Sequence, residues 1–251
     1  MSLPSDILLE LFGHREYRGS QQEIIERVLS GGHSLIIMPT GMGKSLCYQL
    51  PAVVLADRAR SGEQQAEPPL RSVTAPLTLV ISPLIALMQD QITALAQLGI
   101  SAGAINSSMS DREVFMVKDK LERNDLDLLY VAPERLVMPD FVELLKSVKV
   151  ALFAIDEAHC VSQWGHDFRA DYLELSLLHE QFPDVPRVAL TATADEQTRH
   201  EIAARLQLAD AAHFVVGFDR PNIRYRIGLK HNARQQLLAF LKSEHPNDAG
   251  I

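Results

Sequence analysis

Two short stretches of this chain carry residues whose types and spacing suit the handling of a nucleoside triphosphate. In Met38-Pro39-Thr40-Gly41-Met42-Gly43-Lys44-Ser45, two glycines without side chains let the backbone curl so that successive N–H groups face an anion. Thr40, Gly41 and Gly43 would form the cradle, Lys44 would reach the terminal phosphates, and the Ser45 hydroxyl would ligate Mg²⁺. Met38 stands where the commonest pattern, G-x-x-x-x-G-K-[ST], has its first glycine, so only Gly43-Lys44-Ser45 and an extra Gly41 survive. An ordinary glycine-rich turn between a strand and a helix is the alternative, and a second, acidic site has to decide.

That site is Asp156-Glu157, which ends the apolar run Val150-Ala151-Leu152-Phe153-Ala154-Ile155. A carboxylate leaving the C-terminal edge of a sheet lies where open α/β folds bind ligands. Asp156 is suited to holding Mg²⁺ through water, and Glu157 to orienting and deprotonating an attacking water. Alone, such a pair is ordinary solvated turn chemistry. Together with the lysine turn it reads as a hydrolase.

The elements that must position these groups alternate along the chain. Apolar runs near 34–38, 77–82, 102–106, 126–131, 150–155, 187–191 and 213–216 predict strands, and amphipathic stretches between them predict helices. Residues 5–30 predict two helices around a turn, and Lys44 to Ala56 a third helix. Such alternation implies an α/β fold, a mostly parallel sheet with helices on both faces. Residues 57–76 are poor in apolar side chains and rich in charge, Gln and Pro, which predicts a flexible surface insertion. No internal repeat is found.

With 251 residues, 47% hydrophobic and 22% charged, a core of normal size is available. No apolar run reaches membrane-span length and no leader pattern opens the chain, which predicts an intracellular protein, cytoplasmic or nuclear, without membrane attachment. Cys47 and Cys160 are the two cysteines; without C-x-x-C spacing they predict buried reduced thiols. His159, Cys160 and His166 lack an evident fourth ligand, so zinc is not expected. The formal net charge of −8 opposes bulk affinity for nucleic acid, so any track for DNA must be local.

Asp156-Glu157-Ala158-His159-Cys160-Val161-Ser162-Gln163-Trp164-Gly165-His166-Asp167-Phe168-Arg169-Ala170-Asp171-Tyr172 resembles the RecQ family of superfamily 2 DNA helicases. So do the phosphate turn, Ile81-Ser82-Pro83-Leu84-Ile85-Ala86-Leu87-Met88-Gln89-Asp90-Gln91, Ala132-Pro133-Glu134-Arg135-Leu136, Thr191-Ala192-Thr193 and Phe218-Asp219-Arg220-Pro221-Asn222, in collinear order. DEAH alone would fit many RNA helicases; its extension is more specific. The resemblance implies a RecA-like P-loop NTPase domain over 1–217, with 218–251 as an interlobe linker and the truncated start of a second helicase lobe. A strand at Ile223 to Leu229 and a helix near Arg234 to Leu241 would open that lobe.

The resemblance also assigns roles. His14, Arg18 and Gln21 match a motif that reads adenine, with His14 where tyrosine is usual; a Gln amide suits the N6/N7 edge, while helix-start decoration is the alternative. Ser82, Gln89 and Gln91 would lie along the DNA strand, touching phosphate or sugar without reading sequence. Trp164, His166, Phe168 and Arg169 would stack against single-stranded bases and, with His159, relay DNA occupancy to the carboxylates; burial of Trp164 and Phe168 in the core is the alternative. Thr191 and Thr193 would link the carboxylates to the DNA site, or simply cap a helix.

The implied function is ATP hydrolysis coupled to 3′-to-5′ translocation on single-stranded DNA and unwinding at duplex junctions, in repair and recombination. The arginine that speeds such hydrolysis comes, in this family, from the second lobe. The chain alone is therefore expected to bind Mg²⁺·ATP, turn it over feebly and not unwind. Two competitors are a nucleic-acid-binding module with little turnover and another P-loop phosphotransferase.

Overall fold

The computed structural model describes residues 3–62, 76–162, 167–217 and 226–246. The chain divides into two compact units, Met1–Gly217 and Phe218–Ile251. In the first, seven strands form one sheet: β1 (Ser34–Ile37), β2 (Leu77–Ile81), β3 (Ala102–Ile105), β4 (Leu128–Val131), β5 (Val150–Ile155), β6 (Arg187–Thr191) and β7 (Ala212–Val215). Their order is β3-β4-β2-β5-β6-β1-β7, and every pairing is parallel. All seven fall on the apolar runs of the sequence. Central strands such as β1 and β2 are buried along their whole length, the pattern of a parallel sheet covered on both faces.

The helices are α1 (Pro4–Glu10), α2 (Gln21–Leu29), α3 (Leu46–Arg60), α4 (Ile85–Gln97), α5 (Asp111–Glu122), α6 (Pro133–Leu136), α7 (Pro139–Ser147), α8 (Leu177–Gln181), α9 (Glu196–Arg205) and α10 (Ala233–Glu244). Because strand side chains alternate between faces, the core falls into two clusters. Ile36, Val80, Tyr130 and Leu190 pack with α1, α2, α3 and α4. Leu35, Ile81, Val131 and Phe153 pack with α5, α6, α7, α8 and α9. The covering helices begin at local signals: Ser110 and Glu113 form a reciprocal capping box at α5, and the Asp195 carboxylate accepts from the Thr198 N–H at 2.8 Å to cap α9.

Two sequence expectations need correction here. The flexible insertion predicted over 57–76 does not hold for its first residues, because α3 continues to Arg60, burying Ala56 and Ala59 and pairing Arg60 with Asp127; residues 63–75 lie outside the described residues. The strand predicted at Ile223 to Leu229 is absent from its described part: residues 226–229 carry no strand, and Ile227 is fully exposed. A strand needs a partner for its backbone groups, and none is found among the described residues of that unit. The helix predicted beside it is α10, capped by Asn232, whose side chain accepts from the Gln235 N–H at 3.2 Å.

The two edges of the sheet are built differently. At the C-terminal edge β1 and β6 end level, with the Met38 N–H donating to the Thr191 carbonyl at 3.0 Å, and the Asp156 N–H donates to Ile81 at 2.9 Å. At the N-terminal edge, Arg187 is buried (2% exposed). Its backbone N–H donates to His33 Nδ1 and its guanidinium to His179 Nδ1, each at 3.0 Å, and to the Gln207 carbonyl at 3.2 Å. Asp127, also buried at this edge, accepts from Arg60 and from the Ser101 N–H at 3.1 Å.

Candidate active site

The phosphate turn runs from the end of β1 into α3. Gly41 and Gly43 have φ of +85° and +83°, values that side-chain-bearing residues rarely adopt. Gly43 is required twice over, since a Cβ there would stand 2.4 Å from Gln21 Nε2. The N–H groups of Gly41, Gly43, Lys44 and Ser45 donate no backbone hydrogen bond among the described residues. Four free donors at the start of a helix make a cradle for phosphate oxygens. Lys44 Nζ donates to the Met38 carbonyl at 3.0 Å, which holds the ammonium at the mouth of the turn.

Gln21 ties the preceding segment to this turn. It is 2% exposed, accepts from the Arg18 N–H at 2.8 Å, and donates through Nε2 to the Gly43 and Met42 carbonyls at 3.1 and 3.3 Å. The amide is thus engaged at both ends by backbone, a role the base-reading expectation did not include. His14 and Arg18 are exposed and line a small cleft with Glu16, Gln21, Gly43 and Leu46. The three residues of the proposed base motif therefore meet at one side of the phosphate turn.

Asp156 follows β5 and is 8% exposed; its carboxylate accepts from the Glu157 N–H at 3.0 Å. Burial first, and the neighbouring Glu157 charge second, raise its pKa to about 6, against the pull of that hydrogen bond, Lys44 and His159. Glu157 takes a left-handed backbone, φ +48° and ψ +44°, a strained conformation for a non-glycine residue. The two consecutive carboxylates take different partners, Asp156 the Glu157 N–H and Glu157 the His159 ring. Glu157 Oε2 lies 3.3 Å from His159 Nδ1. That hydrogen bond is the main reason the Glu157 carboxyl sits below its ordinary pKa.

His159 Nδ1 also lies 2.9 Å from Thr191 Oγ1. The single Thr191 hydroxyl proton goes to the Thr193 carbonyl at 3.1 Å, which leaves Thr191 as acceptor from His159. Nδ1 therefore carries a proton and shares it between Thr191 and Glu157. The His159 pKa is raised to about 10, first by its contact with Cys160 and then by Glu157, against burial. His159 Nε2 faces Asp167 Oδ2 at 3.8 Å. Thr191 and Thr193 do not cap α9, because Asp195 does; the helix-cap alternative is corrected, and Thr191 joins the end of β6 to His159.

Next to these groups a cleft of about 210 Å³ is lined by Pro83, Leu84, Glu157, His159, Cys160, Asp167 and Arg169. The Arg169 guanidinium reaches the Pro83 carbonyl at 3.1 Å and its N–H donates to the Cys160 carbonyl at 3.0 Å. Phe168 is exposed, which removes the core alternative for it. Trp164 and His166 lie outside the described residues. Gln89 is exposed. Ser82 does not reach the surface: it is 1% exposed, and its hydroxyl has no partner among the described residues. Gln91 is half-buried and accepts from Gln49 Nε2 at 2.7 Å. Direct contact of Ser82 with a nucleic-acid strand is thus incompatible with this conformation, because β2 ends beneath the loop that follows it. Both cysteines are buried and free, with burial pushing the Cys47 thiol up to about 12.

One contact escaped the sequence reading. The buried Tyr172 hydroxyl donates to the Asp156 carbonyl at 2.9 Å, clamping the backbone of the acidic turn. Tyr172 closes the aromatic segment, but nothing in the local spacing points its hydroxyl to the Asp156 carbonyl, so only the fold could reveal the bond.

Comparison with known proteins gives the chain a family and a fold. The family model of the DEAD/DEAH box helicases matches residues 18–202. An ATP-dependent DNA helicase RecQ of Pasteurella multocida is 44% identical over 94% of the chain, and that of Bacillus subtilis 36% over 98%. The RecQ-like DNA helicase BLM of Xenopus laevis is 37% identical over 96% of the chain. The chain spans 34%, 38% and 17% of those three proteins. Among solved structures, the helicase MrfA superposes with a TM-score of 0.64 at 17% identity, covering 96% of this chain and 37% of that one. A hypothetical ATP-dependent RNA helicase from Sulfolobus tokodaii gives 0.60 at 16%, covering 86% and 57%. These two show a shared fold, that of RecA-like helicase domains. No helix among the described residues is long and apolar enough to cross a membrane.

Proposed function

Since the chain belongs to the DEAD/DEAH box helicase family, we propose that it is the ATP-binding lobe of a RecQ-like DNA helicase, its domain spanning 1–217. The observation that carries this reading is the meeting, at one sheet edge, of the Lys44–Ser45 cradle with the divergent pair Asp156 and Glu157. Free N–H donors and left-handed glycines fit polyphosphate, and one buried carboxylate with one hydroxyl fits Mg²⁺, which takes few protein ligands beside phosphates and water. Mg²⁺ would neutralise charge on the phosphates when bound.

The chain's own residues have separable tasks. The Gly41–Ser45 N–H groups and Lys44 bind phosphate, and Ser45 and Asp156 hold the metal. Gln21 keeps the turn curled, while His14 and Arg18 face the base. Glu157, kept ionised by the His159 N–H, accepts a proton from water. His159 stands between Glu157 and Thr191 on one side and Asp167 on the other, so a change at the 167–169 segment can reach the base. Single-stranded DNA along Gln89, Phe168 and Arg169 is the proposed source of that change, with Trp164 and His166 as further members of the segment. Residues 218–251 are proposed as linker and start of a second lobe, which would supply the arginine for rapid hydrolysis and complete the unwinding machinery at duplex junctions. That assembly would act inside the cell, in repair and recombination.

The test is ATP turnover by this chain with Mg²⁺, with and without oligo(dT), with Glu157→Gln as blank. Nucleotide binding through Lys44 with turnover near the blank supports half a motor. A strong DNA-stimulated, Glu157-dependent rate would overturn the need for an arginine from elsewhere, and absence of nucleotide binding would remove the reading altogether.

A further inference from the structure

Beneath the phosphate turn lie two tyrosines to which the mechanism above gives no work. Tyr48 stands three residues beyond Ser45, and its N–H donates to the Ser45 carbonyl at 3.2 Å, so the two side chains share a helix face. Tyr48 is 1% exposed, and its hydroxyl has no hydrogen-bond partner among the described residues. Its polar neighbours are the hydroxyls of Tyr130 and Ser45 and the carboxylate of Asp156, close by but none making a satisfactory hydrogen bond with it. Two of those three groups are the residues assigned to Mg²⁺.

Tyr130, at β4, is held from its other side. Gln49 Nε2 donates to the Tyr130 hydroxyl at 3.3 Å and to Gln91 Oε1 of α4 at 2.7 Å. The neighbour that faces Tyr48 is therefore fixed by a buried amide. Burial raises both phenol pKa values, so both remain protonated hydroxyls across the neutral range. A buried hydroxyl without a partner destabilises the protein that carries it. Residues of this kind cluster where a ligand completes the bonding.

We propose that Tyr48 is a positioning residue for the metal site: its hydroxyl, unsatisfied in the free protein, becomes hydrogen-bonded to the Ser45–Asp156 pair when that pair holds Mg²⁺. The inference rests on the reading of Ser45 and Asp156 as the Mg²⁺ residues. Tyr48 touches neither nucleotide nor metal; it fixes the spacing of the two groups that do.

Tyr48→Phe removes the hydroxyl and keeps the ring. The experiment measures the thermal midpoint of the free protein and the Mg²⁺ concentration that half-saturates binding of a fluorescent ADP analogue, alongside ADP binding in EDTA. Expected are a raised thermal midpoint, an Mg²⁺ midpoint higher by about tenfold, and unchanged affinity in EDTA. Tyr130→Phe should move the Mg²⁺ midpoint the same way by less. In a Ser45→Ala background, Tyr48→Phe should add nothing, which is the signature of a coupled pair. An unchanged Mg²⁺ midpoint in Tyr48→Phe, whatever the thermal midpoint does, overturns the proposal. Wild-type protein whose ADP binding ignores Mg²⁺ would instead sink the metal assignment of Ser45 and Asp156, and the inference with it.

Discussion

The two edges of one sheet treat charge in opposite ways. At the N-terminal edge each buried charge has partners: Arg187 reaches two imidazole nitrogens and a carbonyl, and Asp127, further along the edge, is answered by Arg60 and a backbone N–H, although Arg187 Nε and the Ser34 and Thr78 hydroxyls are unpaired among the described residues. At the C-terminal edge, Asp156 and Glu157 are adjacent like charges, the glycine cradle keeps its donors free, and the Tyr48 and Ser82 hydroxyls are unpaired. Burial is similar at both. Unpaired buried atoms occur at both; what differs is that one edge pairs its charges, while the other sets two like charges side by side next to a row of open backbone donors. An edge that pairs its charges contributes to folding, whereas an edge that leaves charges and donors open is less stable by itself and is suited to a charged ligand.

The sharpest test of this contrast pairs one substitution from each edge. Arg187→Ala strips His179 and Gln207 of their common donor, keeps the backbone N–H that His33 accepts, and leaves a cavity in the sheet, so the unfolding free energy should fall by about 3–5 kcal/mol. Lys44→Ala should leave the denaturant midpoint within error and weaken ADP binding at least about a hundredfold, with loss of a charge-assisted phosphate contact. Comparable loss of stability in both variants would erase the distinction between a folding edge and a binding edge. Gly43→Ala should fall between them: the left-handed backbone and the 2.4 Å approach to Gln21 cost about 1–3 kcal/mol of stability, and nucleotide binding declines as well.

The sheet was legible because its signal is local. Each buried parallel strand is a short apolar run, and all seven were placed from those runs with ends displaced by a residue or two. The cradle and the acidic turn were legible for the same reason, as their chemistry sits on consecutive residues. Groups joined across elements were not. The Tyr172 hydroxyl on the Asp156 carbonyl, Gln49 between Gln91 and Tyr130, and the Arg187 cluster each need three-dimensional proximity that no spacing encodes. Ser82 misled because a polar residue at a strand end can face inward as readily as outward. The strand predicted at Ile223 to Leu229 fails in its described part, 226–229, because β-propensity without a neighbouring strand gives no ladder.

The smallest effect, and the one that separates the edges by sign, is the response to pH. Asp156 ionises near pH 6 in the folded chain but near the ordinary aspartate value once unfolded, so its burial lowers stability as pH rises through that window and no further above it. Asp156→Asn keeps an acceptor for the Glu157 N–H and should be more stable than wild type above pH 6, with the advantage gone by about pH 4. His33 behaves inversely. Its pKa is lowered, first by burial and then by Arg187, with Arg27 and His179 acting the same way and Asp210 against them. Its Nδ1 accepts from the Arg187 N–H, so it must stay unprotonated there. The fold should lose stability as pH falls below the ordinary histidine value, and His33→Gln, which keeps an acceptor that does not titrate, should flatten that acid limb without altering the limb set by Asp156. Denaturant midpoints of the three proteins between pH 4 and pH 8 decide the matter: if both variants shift the same limb, the edges are not independent and the contrast between them fails.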